Sequence, residues 1–594
     1  MSENVIKWNL KDFFDSIDDP QIEKTISEIE EKLDDFVKRA KGNLQKIEPK
    51  KLKEFFKEYE EINEKSFYLS VYSYLVYSTN SINEEVKSFY AKIDEFTSKV
   101  SEKTLFFELE LNTISDEDFK KLVEAPELKE YKHFLEFNRL QKPHQLSEKE
   151  EQIIIMKDLV GSKAFNKLYT EIVSRFSFQF ELDGEIKTLT GPQLISLLQH
   201  KDREVRKRAL LTYVEAYKNN ELVLTHIYNN VIKDFDLETK KRNYEKPVQL
   251  RNLENEVEDE IVEALEKATT ESYKPLVERY YNLKKNILGY DDLHMYDIYA
   301  PVGNINKKYE YEEAIEIIKQ ATENFDPEFK EIVENMVKKG HIDLTPRKGK
   351  EGGAYCHYGK LKNYPFVFVN YTKTIDSVLT LAHELGHAIH FYYTLKNQNY
   401  VNIFPTIPMA EIASVFCEIM TFDYLINQDL TKEEKIALLC THLEGNFATS
   451  HRQNAFYRFE KQIHELMSKK LPSTKDYVDI FTNEMQLMFG NAVEKIKEEY
   501  SHYAFVVNHF LHTPFYVYAY NMSNLMVIAL YQLYLEKGKE YFIPRYKKLL
   551  SSGGSTTPQE MLKQFDIDLK DAEFWKKGLK YLENKIDELE KLIQ

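Results

Sequence analysis

Cysteine is almost missing from this 594-residue sequence: Cys356, Cys417 and Cys440 are the only three. So few, so widely spaced, make neither a disulfide framework nor a zinc-finger pattern, and a reducing, cytoplasmic location is the expectation. Glycine and proline are scarce as well, at 18 and 17, together roughly half of average usage. With few breakers and abundant Lys, Glu, Leu and Tyr, the chain is expected to be mainly α, with long helices and little sheet. No apolar run approaches the roughly 18 residues a bilayer crossing requires, so no membrane partner is expected. The N-terminal MSENVIKWNLKDFFDSIDD has acids where a signal peptide needs a basic start and an apolar run. A basic excess is also lacking: 98 acidic against 81 basic residues give a formal charge of −17. Phosphate binding needs a basic footprint, so nucleic acid is not an expected partner.

What is present begins with amphipathic helices. In IEKTISEIEEKLDDFVKRAKGNLQKI, residues Ile22, Ile26, Ile29, Leu33 and Phe36 recur at spacings of three and four. Residues 1–115 are read as an N-terminal helical region, a hairpin or small bundle. Residues 116–195 are read as more helix of the same lobe, interrupted by FSFQFELDGEIKTLTG, whose Asp183-Gly184 signals a short β-hairpin. Helices resume at 254–288 and 309–338. Between 340 and 374 the texture changes to glycine and aromatics, and YPFVFVNY alternates like a strand. After it the pattern is helical almost to Gln594. No repeat, low-complexity tract or flexible linker interrupts the chain, which argues for one packed body.

The chemistry lies in DSVLTLAHELGHAIHFYYTL, residues 376–395. Val378, Ala382, Leu385, Ile389 and Tyr392 step by four and three and form one apolar stripe. His383 lies about 100° round the helix from that stripe, and His387 stands one turn above it, about 6 Å along the axis. Two imidazoles so spaced can reach one tetrahedral metal. Glu384 points about 100° further round, beside the metal position, where a base must stand to take a proton from an activated water. A surface helix that happens to carry two His and a Glu is the bland alternative. Gly386 weighs against it, because a glycine inside a helix costs roughly 1 kcal/mol and marks close packing or a site.

A catalytic zinc wants a third protein ligand and an open position. In MAEIASVFCEIMTFDYL, Glu411 and Glu418 fall on one face of a second, otherwise apolar helix. A carboxylate on a buried helix needs a metal or a partner. Glu411 follows His387 by 24 residues, enough for a helix end, a loop and a return. Glu418 is then suited to accept a ring N–H from a ligand histidine. His390, one turn beyond His387 on the same face, is read as a supporting or packing residue rather than a ligand.

Several segments together carry a family resemblance: GGAY at 352–355, YPFVFVNY, TLAHELGHAIH at 380–390, AEIAS at 410–414 with Glu418, and HFLHTPFYVYAY at 509–520. More weakly, RKRAL at 206–210, LGYDDLHMYDIYAPV at 288–302 and RQNAFYRFE at 452–460 also match. The chain resembles the oligoendopeptidase F branch of the thimet-oligopeptidase-like metallopeptidases, most fully from about residue 200 onward. The resemblance implies a two-lobed helical fold with a deep central cleft and a small β-sheet next to the metal helix, and residues 196–594 as the catalytic domain. It implies one Zn2+ per chain on His383, His387 and Glu411, Glu384 as general base, and Glu418 as the supporting carboxylate. By itself HFLHTPFYVYAY reads rather as an aromatic core segment, in a chain with 40 Tyr. With the resemblance, His509, His512, Tyr516, Tyr518 and Tyr520 become candidate donors to the oxyanion of a tetrahedral intermediate. Gly353, Ala354 and Tyr355, and the strand before the metal helix, are candidates for pairing with a substrate backbone, as an edge strand would supply. Cys356 beside them carries no expected role.

The expected activity is zinc-dependent hydrolysis of short oligopeptides by an endopeptidase. Two alternatives stand beside it. A peptidyl-dipeptidase or carboxypeptidase on a related scaffold would need a cation for the free C-terminal carboxylate, and no single Lys or Arg stands out. A non-catalytic peptide-binding protein would have no need for Glu384.

Overall fold

The computed structural model describes residues 5–303 and 307–594, and they are mainly α-helical with two small sheets. The chain forms two compact units, each assembled from three separate stretches. The first comprises Met1–Lys142, Lys307–Asn427 and Tyr534–Asp566; the second comprises Pro143–Asn306, Gln428–Leu533 and Ile567–Gln594. These units cut across the contiguous segmentation at 115 and 195 expected above. Helices find their neighbours by matching apolar faces, and nothing requires those neighbours to be consecutive in sequence.

In the first unit, helices Pro20–Ala40, Pro49–Thr79 and Glu84–Thr104 pack on one another. Their ends carry ordinary signals: the Asp19 side chain accepts from the Gln21 N–H, and Asn83 accepts from Glu85 and Val86. Ile22, Ile26, Ile29, Leu33 and Phe36 are all buried, as their spacing predicts. The same core continues through Phe56, Phe107 and Tyr131 to Phe366 of the sheet.

That sheet has strands β3 (Ile342–Asp343), β4 (Ala354–His357) and β5 (Phe366–Val369) in the order β3-β5-β4. β3 is parallel and β4 antiparallel to β5. Phe366, Val367, Phe368 and Val369 are at most 1% exposed, so the apparent alternation of YPFVFVNY conceals a strand covered on both faces. Trp8, 5.8 Å from the Phe368 ring, lies on one side, and the metal helix Ile375–Asn397 packs against β4 and β5. β5 therefore cannot offer its backbone to a substrate, because it is paired along both edges. Among the described residues β4 pairs with one strand only.

In the second unit the hairpin forms as predicted, from β1 (Ser177–Leu182) and β2 (Glu185–Thr190), with Leu182 opposite Glu185. Asp183 and Gly184 both have positive φ, 56° and 79°, the requirement of a two-residue type I′ turn. The RKRAL segment has a structural role: buried Arg206 pairs with buried Asp297 at 2.8 Å and also donates to the Tyr296 carbonyl. No helix among the described residues is long and apolar enough to cross a membrane.

Candidate metal centre

The helix Ile375–Asn397 starts at a capping box in which Thr374 accepts from the Ser377 N–H. Four of the five residues of its apolar stripe, Val378, Ala382, Leu385 and Ile389, are at most 1% exposed, and the fifth, Tyr392, is half-buried. His383 and His387 stand one turn apart, ring centroids 5.0 Å from each other. Between them, Gly386 meets the second helix, Ile412–Ile426. A Cβ built there would lie 2.3 Å from the Ala413 carbonyl oxygen and 2.6 Å from the Ser414 Cα. The glycine costs helix propensity, and in exchange lets the two backbones approach until both carboxylates reach the histidines.

Glu411 is not in the body of that helix. It sits at the junction between the single turn Ile407–Ala410 and Ile412–Ile426, at φ −82°, ψ −2°. Its Oε2 lies 3.3 Å from His383 Nε2 and 3.4 Å from His387 Nε2. Ser414 Oγ donates to the same Oε2 at 2.6 Å and orients the carboxylate. Glu418 Oε2 lies 3.2 Å from His383 Nδ1, so that ring is held between two carboxylates. His390 is buried and its Nδ1 lies 3.4 Å from the carbonyl of Ala410, just before Glu411. Burial pulls His390 down to about 4, so its neutral ring donates to that carbonyl; it lies outside the three-donor cluster.

The electrostatics favour a positive charge at the centre. Burial works against a charged His383, but Glu411 and Glu418 hold its pKa well above the usual histidine value. Burial likewise works against the Glu411 carboxylate, and the two imidazoles overcome it and hold its pKa well below the usual range. One donor atom each from His383, His387 and Glu411 lie within 4.8 Å of one another. Tetrahedral coordination with bonds of about 2.0–2.2 Å separates donors by about 3.3–3.6 Å. The two carboxylate–imidazole separations match that edge, so the residues fit a zinc-sized ion.

Glu384 is 6% exposed, and its Oε2 has no hydrogen-bond partner among the described residues. Burial pushes its pKa up against the pull of His383 and His387. The Glu384 charge also acts on Cys356, whose thiol is raised far above its ordinary value, chiefly by burial. Strand β4, which carries Cys356, packs against the helix that carries Glu384. In the adjoining turn, Gly353 has φ +85° with open space around it, and its carbonyl accepts from Asn370. Ala354 and Tyr355 lie on β4. The Tyr355 ring stacks on Phe368 at 4.7 Å and its hydroxyl meets Ser78 Oγ at 2.6 Å. That side chain is therefore committed to the sheet and to the helix Pro49–Thr79.

The tyrosine block belongs to the second unit, and it divides. Tyr518 is 1% exposed and its hydroxyl accepts from Asn255 Nδ2 at 2.8 Å, so it is a core residue and leaves the donor set. The helix Val517–Lys537 explains this: residues two apart point about 200° from each other, whereas four apart share a face. Tyr516, just ahead of that helix, and Tyr520 on it have rings 5.1 Å apart, and Tyr520 Oη lies 3.4 Å from His509 Nε2. Burial lowers the pKa of His509 and keeps its ring neutral. His512 is exposed. Glu460, which sequence reasoning missed, lies under this block. Fully buried, it accepts from the Phe515 N–H at 2.9 Å, and Phe515 has a left-handed φ of 58°.

With this geometry in place, comparison with known proteins is decisive. The pattern of peptidase family M3 matches residues 196–581, and that of an oligopeptidase F N-terminal region matches 110–178. The chain belongs to peptidase family M3. An oligoendopeptidase F homolog of Borreliella burgdorferi is 28% identical, over 99% of this chain and 98% of its own. Oligopeptidase PepF of Bacillus subtilis is 29% identical, over 84% of this chain and 75% of its own. Among solved structures, one from Chlamydophila abortus superposes with a TM-score of 0.87 at 24% identity, over 99% of this chain and 98% of that one. The oligoendopeptidase-F of Enterococcus faecium superposes with 0.71 at 23% identity, over 96% and 99%. The M3 protein is thus a peptidase of the oligoendopeptidase F type, with peptides as its substrate class.

Proposed function

We propose that this M3 peptidase is a zinc-dependent endopeptidase of short oligopeptides, with one zinc per chain on His383, His387 and Glu411. The observation that carries this reading is the cluster of two imidazole nitrogens and one carboxylate oxygen within 4.8 Å, with the buried Glu384 carboxyl next to it on the same helix. Zinc bound there supplies Lewis acidity to the scissile carbonyl and lowers the pKa of a water. Glu384 takes the proton of the attacking water and delivers it to the leaving amine as the C–N bond breaks. Glu418 fixes the ring of His383, and Ser414 fixes the carboxylate of Glu411. The β4 backbone at Ala354 and Tyr355, with Gly353 before it, receives the peptide as an added strand. Donation to the oxyanion by Tyr516, Tyr520 or His509 rests on the sequence resemblance.

The test is digestion of peptides acetylated at the N-terminus and amidated at the C-terminus, read by mass spectrometry. Internal cleavage should stop on chelation and return when zinc is added back. Cleavage indifferent to chelator overturns the metal reading; cleavage confined to free C-termini replaces endopeptidase with exopeptidase.

A further inference from the structure

The chain leaves the metal helix at Asn397 and must come back to deliver Glu411. The connector between them has little regular structure, a single turn at Tyr400–Asn402 and another at Ile407–Ala410. Such a segment does not by itself hold a ligand oxygen to a fraction of an ångström. A stretch about 140 residues later in sequence, the helix Lys539–Leu550 and the Ser-Ser-Gly-Gly turn after it, grips the connector at both ends.

At the near end, Thr394 Oγ1 donates to the Leu550 carbonyl at 3.0 Å. Gln398 Nε2 donates to the Ser551 carbonyl at 2.7 Å, and Asn397 Nδ2 to Ser551 Oγ at 3.2 Å. The Gly554 N–H donates to the Asn402 carbonyl at 2.8 Å. At the far end, the Tyr546 hydroxyl donates to the carbonyl of Ile412, one residue past Glu411, at 2.9 Å. Tyr546 is fully buried, and its ring lies 4.6 Å from that of Phe416 on the same helix as Ile412.

The turn fits only as glycine. Gly553 has φ +51°, and a Cβ there would lie 2.3 Å from the Asn402 carbonyl oxygen; at Gly554 a Cβ would lie 2.1 Å from that of Phe404. Both obstacles are backbone, so a methyl group has to move the connector itself, on the order of 1 Å. Generic packing would not need bonds that bracket one residue from both sides, nor two glycines pressed against the same short segment.

We infer that Tyr546, Gly553 and Gly554 form a positioning clamp that sets the place of Glu411 relative to His383 and His387. The inference rests on the zinc reading above. The clamp acts through the connector and touches neither metal nor substrate.

Zinc dissociation constants, measured by competition with a chromophoric chelator, test it on wild type, Tyr546→Phe, Gly554→Ala and His383→Ala, alongside melting of the zinc-free proteins. Tyr546→Phe should weaken zinc about 10-fold and Gly554→Ala between about 10- and 100-fold, the range for residues that orient a ligand. Apo melting of Tyr546→Phe should fall only as far as the loss of one buried hydrogen bond takes it. If Tyr546→Phe keeps wild-type affinity while its apo melting falls, the segment is only structural and the clamp is refuted. If Gly554→Ala does not fold, Tyr546→Phe alone decides. If wild type binds no zinc, or His383→Ala binds as tightly, the metal reading itself fails and takes the clamp with it.

Discussion

Gly386→Ala separates stability from site geometry more sharply than removal of any ligand. The new Cβ would stand 2.3 Å from the Ala413 carbonyl oxygen, 2.6 Å from Ser414 Cα and 2.8 Å from Cys417 Cβ. Two of these three atoms are backbone of the neighbouring helix, so the helices must part, by about 1 Å to restore ordinary contact. Alanine gains about 1 kcal/mol of helix propensity over glycine, whereas overpacking costs about 1–3 kcal/mol. The two largely offset each other, leaving a net loss of about 0–2 kcal/mol. The carboxylates have no such compensation. Glu411 and Glu418 ride on the displaced segment, and their separations of 3.2–3.4 Å from the imidazoles leave little room for a shift of that size. Misplacement by 1 Å costs on the order of 10²-fold in rate, and zinc should bind about 10–100-fold more weakly. Urea unfolding of the apo protein, zinc titration and kcat on a quenched-fluorescence peptide measure the three quantities. A Gly386→Ala protein with wild-type zinc affinity and kcat would refute the argument that this contact sets the centre.

Glu384→Gln keeps the shape but cannot take a proton; near-normal zinc content with activity down at least about 10²-fold is expected from metal analysis and peptide assay. Glu411→Ala should lose both zinc and activity, whereas Glu418→Ala should retain zinc with affinity or activity weakened about 10–100-fold; the reverse ranking means that ligand and support are exchanged. Tyr520→Phe should lower kcat by about 10²-fold or more if its hydroxyl is an oxyanion donor. Tyr518→Phe, which leaves the Asn255 amide without its partner, should cost about 1–3 kcal/mol in unfolding measurements with kcat intact. Burial raises the Glu460 carboxyl to about 8, against the Phe515 N–H that favours its charge. Its unfolded value is about 4.3, so the folded state holds the proton more tightly, and the resulting stability is complete below about pH 4 and lost as pH rises through about 8. Glu460→Gln should therefore flatten the stability difference between about pH 5 and 8, read from urea midpoints at each pH.

The stripe Ile22–Ile26–Ile29–Leu33–Phe36 and the Asp183-Gly184 turn were legible because each depends on residues within one or two turns of chain. The same locality made His383, Glu384 and His387 readable as a set: one helical period fixes their mutual directions whatever surrounds them. Glu411 and Glu418 were readable as a pair on one face, and Ser414, three residues past Glu411, could have been read as its partner by the same rule. The tyrosine block was grouped too broadly because the start of its helix at Val517 was not known; that start leaves Tyr516 ahead of the helix and turns Tyr518 about 200° away from Tyr520, into the core.

Sequence alone determined the helical class, the short hairpin and the placing of His383, Glu384 and His387 on one helix, all consequences of local periodicity, turn conformation and residue type. Tertiary structure decided what depends on neighbours distant along the chain. It covered β5 on both faces and left β4 as the edge, since burial of a strand is set by what packs over it. It packed β4 against the helix Ile375–Asn397, and it pressed Gly386 against Ala413 and Gly554 against Phe404. A glycine announces freedom or proximity, but only the fold says which backbone it must let through.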